Sequence, residues 1–477
     1  MIWLVGALLL FIFQIITILF HEFRHPSKTV AWLVILFIFP IIGFIMYYFL
    51  AKEYTHRKKV RRRALRYVPD SKHEGRRYAA SQPRDGEDAE PDRSRVEPRL
   101  YALLNNIPSS SVTQQNEVNV LTNADKAYQA MMEAIEQAKC YIHFEFYTIR
   151  HDRIGTVFQQ LLIRKAREGV RVRCIFDGVG SYKLDNRFLN ELRDAGVEAH
   201  VFLPPLIAFF DKRMNYRNHR KIVVVDGVKG YLGGINVGDE YLGGNPNLGF
   251  WRDTHLELIG DSVYSLQYTF LADWQFVSNQ RLTDSILFPE HDNAGRKRVQ
   301  IISSGPDAHW DAILEMYFGA ITAAKKRIFI TTPYFVPDPS ISMGLKTAAI
   351  SGVDVRVIYP SRPDSKVVNY ASMSYFEELM QVGVRFYSYE KGFMHAKVLI
   401  IDDVLASVGT ANMDMRSFFS NFELNAVLFD KETIQRLEAD FLQDLKDCKE
   451  LKLEAFEKRS RLQKGKEVVA RLLSPLF

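Results

Sequence analysis

The sequence predicts an α/β protein with two similar lobes that face each other about a pseudo-twofold axis, preceded by an α-helical transmembrane hairpin. Three observations predict it. A His-x-Lys motif, followed by four apolar residues and an Asp, occurs twice; the strand and helix patterns around it also repeat; and two long apolar stretches open the chain. Repeated strand–helix alternation implies two lobes with largely buried sheets.

The N-terminal stretches from Ile2 to Phe20 and from Thr29 to Leu50 contain no charged residue. Each is long enough to cross a hydrocarbon layer of about 30 Å at about 1.5 Å per helical residue. We therefore predict two spans, about 2–20 and 29–50, joined by a short turn. A cleaved signal peptide is the alternative for the first stretch, but the basic start and the small-residue cleavage site of such peptides are missing.

Basic residues crowd the end of the second predicted span. They are Lys52, Arg57, Lys58, Lys59, Arg61, Arg62, Arg63 and Arg66. The positive-inside bias places this side, and everything after it, in the cytoplasm, and the same charges attract anionic headgroups. The net charge of +6 also favours an anionic partner, either nucleic acid or an acidic membrane surface.

Changes in composition and internal repeats predict four regions. They are the hairpin with its basic end at 1–67, a polar linker at 68–115, a first lobe at 116–290 and a second lobe with C-terminal helices at 291–477. In the linker we expect one short helix near Leu100 to Leu104. For the repeat, we align Lys139–Tyr147 with Lys326–Tyr334 and Glu168–Phe176 with Ser351–Tyr359.

The duplicated motif carries the candidate chemistry. Its residues are His219, Lys221 and Asp226 in the first copy and His395, Lys397 and Asp402 in the second, with Asn236 and Asn412 each seventeen positions after the His. Alternation in a strand would put His and Lys on one face, an arrangement that favours a shared anion. Two copies that meet would supply one His to attack phosphorus and one to protonate the leaving oxygen. The Lys and Asn residues would hold the phosphoryl oxygens.

These motifs resemble the paired motifs of the phospholipase D superfamily, and the surrounding sequence is similar to that of bacterial cardiolipin synthases. The similar blocks are Tyr216–Lys221, Trp251–His255, Ser304–Pro306, Thr332–Pro337 and Asn421–Glu423. The resemblance covers nearly the whole chain, including the N-terminal hairpin.

The resemblance implies a two-step phosphatidyl transfer. His219 attacks one phosphatidylglycerol, glycerol leaves with a proton from His395, and a second phosphatidylglycerol then takes the phosphatidyl group to give cardiolipin. The choice of His219 as nucleophile rests on analogy. The resemblance also places Asp253 and Glu423 beside the histidines, one for each. We expect Asp226 and Asp402 to fix the loop and lysine geometry.

Cofactor and metal are expected to be absent, because no Asp/Glu/His cluster has the pattern of a metal site. We expect the three cysteines, Cys140, Cys174 and Cys448, to be reduced thiols. The expected partners are phosphatidylglycerol and cardiolipin in an anionic cell membrane, with no nucleic acid. The alternatives are a membrane phospholipase D that yields phosphatidic acid, a nuclease, and a non-enzymatic scaffold. Acyl preference, the range of donor lipids and the oligomeric state stay open.

Two further segments allow two interpretations each. The first copy of the repeat has an insertion, 203–213, which is either a buried loop or an element that dips into lipid. The charge-rich stretch from Asp430 is predicted to be helical and to pack on the second lobe, and its end is either docked on that lobe or in contact with the membrane.

Overall fold

The computed structural model describes residues 2–21, 26–47, 96–108, 110–205, 216–290, 294–308 and 310–474. The basic cluster at 52–66, the linker up to residue 95 and the insertion from residue 206 lie outside the described residues.

Helices and strands alternate through most of the described chain. The α-helices are α1 (Ile2–His21), α2 (Pro26–Ile38), α3 (Pro40–Met46), α4 (Pro98–Asn105), α5 (Asn123–Glu136), α6 (Arg153–Arg167), α7 (Asn186–Asp194), α8 (Ser262–Ser278), α9 (Ala312–Ala323), α10 (Pro339–Ile350), α11 (Lys366–Met380), α12 (Met415–Phe419), α13 (Lys431–Lys446), α14 (Leu453–Glu457) and α15 (Arg461–Leu473). The strands are β1 (Val112–Thr122), β2 (Tyr141–Phe146), β3 (Arg171–Asp177), β4 (Glu198–Phe202), β5 (Arg217–Asn218), β6 (Lys221–Val225), β7 (Lys229–Gly233), β8 (Phe250–Arg252), β9 (Thr254–Gly260), β10 (Lys297–Ser304), β11 (Arg327–Thr331), β12 (Phe335–Val336), β13 (Asp354–Pro360), β14 (Arg385–Tyr389), β15 (Gly392–Met394), β16 (Val398–Ile401), β17 (Leu405–Gly409), β18 (Met413–Asp414), β19 (Asn421–Leu428) and β20 (Cys448–Glu450).

One continuous sheet runs through the protein, and its strand order repeats outward from the centre. Strands β1 and β10 pair antiparallel in the middle. From β1 the order is β9-β7-β6-β2-β3-β4, and from β10 it is β19-β17-β16-β11-β13-β14, with β20 at the outer edge. We call the strands from β1 to β9 with their helices the first half, and those from β10 onward the second half. The predicted α/β class is confirmed, and both motif strands, β6 and β16, occupy the same place in their halves.

Apolar side chains cover both faces of this sheet, as the buried runs in the motifs predict. Ile222 and Val224 of β6 join a core shared by both halves, whereas Val223 and Val225 face a core of the first half, to which the second half adds only Phe393 among its buried residues. The shared core lies under α8 and α13, because Trp274 and Phe441 belong to it. Period-two alternation explains why one strand serves two cores.

The repeat alignment predicted from sequence is wrong by one residue at its first block. Asp226 accepts hydrogen bonds from the backbone of Lys139 to Tyr141, and Asp402 accepts them from Lys325 to Arg327. Lys139 therefore corresponds to Lys325 and not to Lys326. The predicted alignment matched the Lys and Tyr residues at the ends of the two segments. In the structure, the turns at Asp226 and Asp402 define which residues correspond.

The N-terminal helices differ from the predicted pair of spans. The second predicted span is two helices, α2 and α3, with a break at Phe39 before Pro40. A proline lacks the N–H that continues a helix and restricts the residue before it. Tyr48 to Leu50 lie outside the described residues. In the described part of the chain, no helix has both the length and the apolar character that a membrane crossing requires.

The short helix expected near Leu100 to Leu104 is α4. It buries Leu100 and Leu104 against α9, in the core of the second half. Helix α4 comes directly before β1 of the first half in sequence, but it packs on the second half.

Candidate active site

Each motif histidine directly follows a short segment that pairs with a strand of the opposite half. Residues just before His219 form β5, which pairs parallel with β19 of the second half, and the N–H of His219 donates to the carbonyl of Phe422 (2.9 Å). Likewise β15 pairs with β8 of the first half, and the N–H of His395 donates to the carbonyl of Arg252 (2.7 Å). Both motifs therefore meet the boundary between the halves.

The expectation that His and Lys share a regular strand is wrong for both histidines and for Lys397. The motif strands begin only at Lys221 and Val398, so His219 and His395 occupy the breaks that precede them. At each break the backbone stops pairing with a strand of the opposite half and begins to pair with strands of its own half. A hydrophobic pattern reports burial but not which strand is the neighbour, so this break was not visible in sequence.

The carboxylate beside each histidine comes from the opposite half. Nδ1 of His219 lies 3.0 Å from a carboxylate oxygen of Glu423, and Nδ1 of His395 lies 2.6 Å from one of Asp253. An ionised carboxylate can only accept, so Nδ1 carries the proton and Nε2 keeps its lone pair for chemistry. All four side chains are buried. The structure thus brings together the residues that sequence named as histidine and supporting acid; their catalytic roles stay a prediction.

Thr410 and Gly234, at corresponding places in the two turns, shape the carboxylate sites differently. The hydroxyl of Thr410 donates to Glu423 at 2.5 Å. At Gly234, an added Cβ would lie 2.1 Å from a carboxylate oxygen of Asp253, so this position has no room for a side chain. In these turns the motif spacing pointed only to the asparagines; the difference between Gly and Thr two residues earlier was the signal available for these positions.

The two motif lysines are buried cations. Nζ of Lys221 donates to the carbonyl of His219 (2.6 Å), and Lys397 makes the same contact with His395. Burial lowers the pKa of Lys221 to about 7 and that of Lys397 to about 8, although Glu423 and Asp253 oppose this. Each lysine has two remaining N–H donors, and a bound anion would stabilise their charged forms.

Burial also sets the histidine protonation. It lowers the pKa of His219 to about 4 and that of His395 to about 3, with a further decrease from the lysine charges. Burial alone would raise the pKa values of Glu423 and Asp253, but the cationic groups around them and their hydrogen bonds bring both to about 2. The site without substrate therefore holds ionised carboxylates and neutral imidazoles near neutral pH.

The two predicted phosphate-binding asparagines are buried. Oδ1 of Asn236 accepts from the N–H of Thr148 (3.0 Å), and its NH₂ group donates to the hydroxyl of Tyr241, which leaves one N–H as a further donor. Oδ1 of Asn412 has no hydrogen-bond partner among the described residues, while its backbone N–H donates to Ser417 (3.1 Å). Phosphate binding by these two residues stays a prediction.

Asp226 and Asp402 are not brought to the histidines. Each follows its motif strand at the end opposite the histidine, seven residues or at most about 23 Å along the chain at about 3.3 Å per residue. Their φ angles are 52° and 51°, and each carboxylate accepts from three consecutive backbone N–H groups. They fix a turn, as expected, but the expected link to the lysines is not present.

Aromatic rings and a buried ion pair complete the surroundings. The ring centroids of Tyr147 and His219 are 4.8 Å apart, and those of Trp251 and His395 are 4.9 Å apart. Behind His219, Arg220 pairs with Asp273 at 2.5 Å and also contacts the carbonyl of Glu423. Tyr147 and Asp273 have no recognisable sequence signal, because their contacts depend on distant strands. Among the described residues, no group of three or more His, Cys, Asp or Glu side chains is arranged to hold a metal ion.

A family profile described as "Cardiolipin synthase, PLD-like domain" matches residues 131–274 and 317–445, and one described as "Phospholipase_D-nuclease N-terminal" matches residues 6–52. The first profile thus matches each half, including both motifs.

Similar proteins cover almost the full chain. Cardiolipin synthase 2 of Bacillus anthracis is 43% identical over 475 residues, covering 98% of this chain and 90% of that protein. A cardiolipin synthase of a Geobacillus species is 45% identical, covering 96% and 90%. Among solved structures, phosphatidylserine synthase of Haemophilus influenzae has a TM-score of 0.59 at 17% identity, covering 79% of this chain and 96% of that one, which shows a shared fold. The chain belongs to the cardiolipin synthase family, with its phospholipase D-like domain.

Proposed function

We propose that the protein transfers a phosphatidyl group from one phosphatidylglycerol to another, giving cardiolipin and glycerol. The observation that carries this proposal is the crossed pairing of His219 with Glu423 and His395 with Asp253. Because each histidine takes its carboxylate from the opposite half, neither half holds a complete site. Two imidazoles on one phosphorus are what a displacement with separate attacking and departing groups requires.

In the first step, Nε2 of His219 attacks phosphorus and the bond to the glycerol oxygen breaks. His395, protonated at Nε2, gives its proton to the departing alkoxide. In the second step His395 removes a proton from a hydroxyl of the second phosphatidylglycerol. That oxygen attacks phosphorus, the P–N bond breaks and cardiolipin leaves. The assignment of His219 as nucleophile is supported by the family resemblance.

His395 takes up the proton that it needs in the first step from solvent when the substrate binds. In the empty site, burial and the charges of Lys221 and Lys397 disfavour a protonated imidazole. An anionic phosphodiester between the lysines would offset those charges and raise the pKa of the histidine. The NH₂ groups of Asn236 and Asn412 would add donors to the phosphoryl oxygens, where negative charge develops.

Membrane attachment is part of the proposal. We infer two spans at about 2–20 and 29–50, a catalytic region on the cytoplasmic side, and a division of the chain into hairpin, linker and two lobes. Support comes from apolar side chains that α1 to α3 leave exposed, such as Phe20, Phe37 and Ile41. A periplasmic reporter that is active when fused after Arg66 would overturn the orientation.

The reaction is tested with purified protein and labelled phosphatidylglycerol in vesicles. The expected products are cardiolipin and glycerol in equal amounts. Phosphatidic acid with glycerol would identify a phospholipase D that uses water as acceptor. A His219→Ala protein serves as the control for contaminating activity, and no product from the unaltered protein would overturn the proposal.

A further inference from the structure

The C-terminal helix α15 is docked on the second half by one of its faces. Arg471 donates to Glu378 and to the carbonyl of Ser374, both at 2.9 Å, and Glu467 accepts from Arg459. Ala470 is buried on the same face. These contacts hold the helix against α11, so its opposite face is fixed in orientation.

That opposite face is apolar and exposed. The exposed fractions are 72% for Leu462, 60% for Val468, 57% for Val469 and 44% for Leu472. Positions 462, 469 and 472 recur at the spacing of one helical face. We call these four residues the C-terminal apolar face. Exposed apolar side chains that cluster on one element indicate a contact surface.

The charges on α15 indicate what this surface contacts. The helix carries four basic residues against a single acid, the buried Glu467; Arg471 pairs with Glu378 and Lys464 lies 3.9 Å from Glu377, so Arg461 and Lys466 are the basic residues that are left to meet an anionic surface. An apolar face bordered by lysine and arginine is the pattern of a helix that lies in the headgroup region of an anionic bilayer.

The C-terminal apolar face continues toward the N-terminal helices. A cavity of about 590 Å³ is lined by Leu472 of α15, Met343 of α10 and Val30 of α2. Met343 is itself 62% exposed. Met415 also lines this cavity, three residues after the candidate phosphate-binding Asn412. The surface therefore joins the segment proposed to enter the membrane with the region next to the second motif.

We propose that the C-terminal apolar face, with Met343 beside it, rests in the interface of a bilayer that contains anionic phospholipid. The helix is then both docked and in contact with the membrane, so the two interpretations of the C-terminus are compatible. This contact adds to the attachment proposed for α1 to α3 and holds the second half down on the lipid surface. It does not depend on the reaction that the site performs.

The test measures depth in the bilayer at single labelled positions of the full chain. Cys140 and Cys448 are replaced by Ser, Cys174 is buried, and a new cysteine at Val469 carries an environment-sensitive fluorophore. The matched controls are Val157→Cys on α6 and Leu442→Cys on α13, whose native side chains are exposed by 42% and 43%. The protein is placed in vesicles of phosphatidylcholine and phosphatidylserine with brominated acyl chains, because phosphatidylserine is anionic and lacks the glycerol hydroxyl of the substrate.

Quenching at position 469 is expected to exceed that at both controls by roughly threefold, as for a helix at the acyl boundary, and to decrease without phosphatidylserine. Equal quenching at 469 and the controls would overturn the proposal. Equal quenching with and without phosphatidylserine would overturn its anionic part. Protection of the label that depends on the protein-to-lipid ratio would instead identify a second copy of the chain as the partner, and would also overturn it.

A second measurement uses Val469→Ser combined with Leu472→Ser, and Leu442→Ser as the control. The double variant should have a KM for vesicle phosphatidylglycerol several-fold higher than the control, with kcat unchanged in detergent-dispersed lipid. An unchanged KM in a folded protein would contradict the proposal.

Discussion

In the pocket of His219 the carboxylate is Glu423, whereas in the pocket of His395 it is Asp253, which is one methylene shorter. Glu423 accepts from Thr410 and Asn421 in addition to His219. Asp253 accepts from His395 and from the N–H of Thr254. The longer side chain needs more donors to hold it, and the shorter one needs the open space at Gly234. Both halves thus form a contact between His Nδ1 and a carboxylate, but with side chains of different length and with different hydrogen-bond donors. Side chains therefore cannot be exchanged freely between the two pockets.

The largest effect is expected from removal of either histidine. His219→Ala and His395→Ala should each lower cardiolipin formation by about 10⁴-fold or more, and the double variant should be no worse, because the two groups act as a unit. Rates are measured with phosphatidylglycerol vesicles. A His395→Ala protein within tenfold of the unaltered rate would show that the pockets work independently. A neutral denaturing quench during turnover should trap labelled phospholipid on His219, because the P–N bond is labile to acid; label on His395 would reverse the roles.

Neutralising the carboxylates should have the next largest effect. Glu423→Gln and Asp253→Asn keep the shape but lose the charge that orients and stabilises the imidazole, so the rate should fall by about 10²- to 10⁴-fold. The control is Asp226→Asn, the same change in a turn far from the histidines. It should cost about 1–3 kcal/mol of stability through its lost hydrogen bonds and leave the rate of the folded protein nearly unchanged. An equal rate loss at Asp226 would contradict the assignment of that residue to the turn.

The pH dependence tests the cationic part of both pockets. Their pKa values, about 7 for Lys221 and about 8 for Lys397, mean that each lysine is protonated below its pKa and loses its charge above it. Beyond the loss of protonated free His395, whose pKa is about 3, the value of kcat/KM should therefore fall more steeply above about pH 7, by up to roughly a further tenfold per pH unit for each lysine that titrates. In acid it should fall toward pH 4, where free His219 takes up a proton. Lys221→Arg should remove the alkaline decline that begins near pH 7, since guanidinium stays charged. An unchanged alkaline limb in a Lys221→Arg protein with measurable activity would assign that limb to another group.

The smallest effect is expected at Thr410, where the two pockets differ because the corresponding residue in the other turn is Gly234. Thr410→Val keeps the shape but removes the donor to Glu423, and a hydrogen bond to a charged group is worth about 1.5–3 kcal/mol, so the rate should fall by about 10- to 10²-fold. Thr410→Ser retains the hydroxyl and should stay close to the unaltered protein. Equal rates for the two variants would show that Glu423 does not depend on Thr410.

The sequence selects most of this site because the motif residues repeat at fixed spacing. His219, Lys221, His395 and Lys397 stand out by that repetition, and the family resemblance added Asp253 and Glu423. It could not show which acid serves which histidine, because β5 with β19 and β15 with β8 are pairings between residues far apart in sequence. It also aligned part of the repeat one residue off, because side-chain similarity was followed where the turn at Asp226 and Asp402 defines the correspondence.

By itself the sequence determined the α/β class and the buried strands, since periodicity and burial are local properties of the chain. It also determined the duplicated chemistry. Only the tertiary structure decided that each histidine sits in a break between strands, that its carboxylate crosses from the opposite half, and that α15 turns an apolar face outward. Those features depend on which distant segments become neighbours, and a residue pattern along the chain does not encode that choice in readable form.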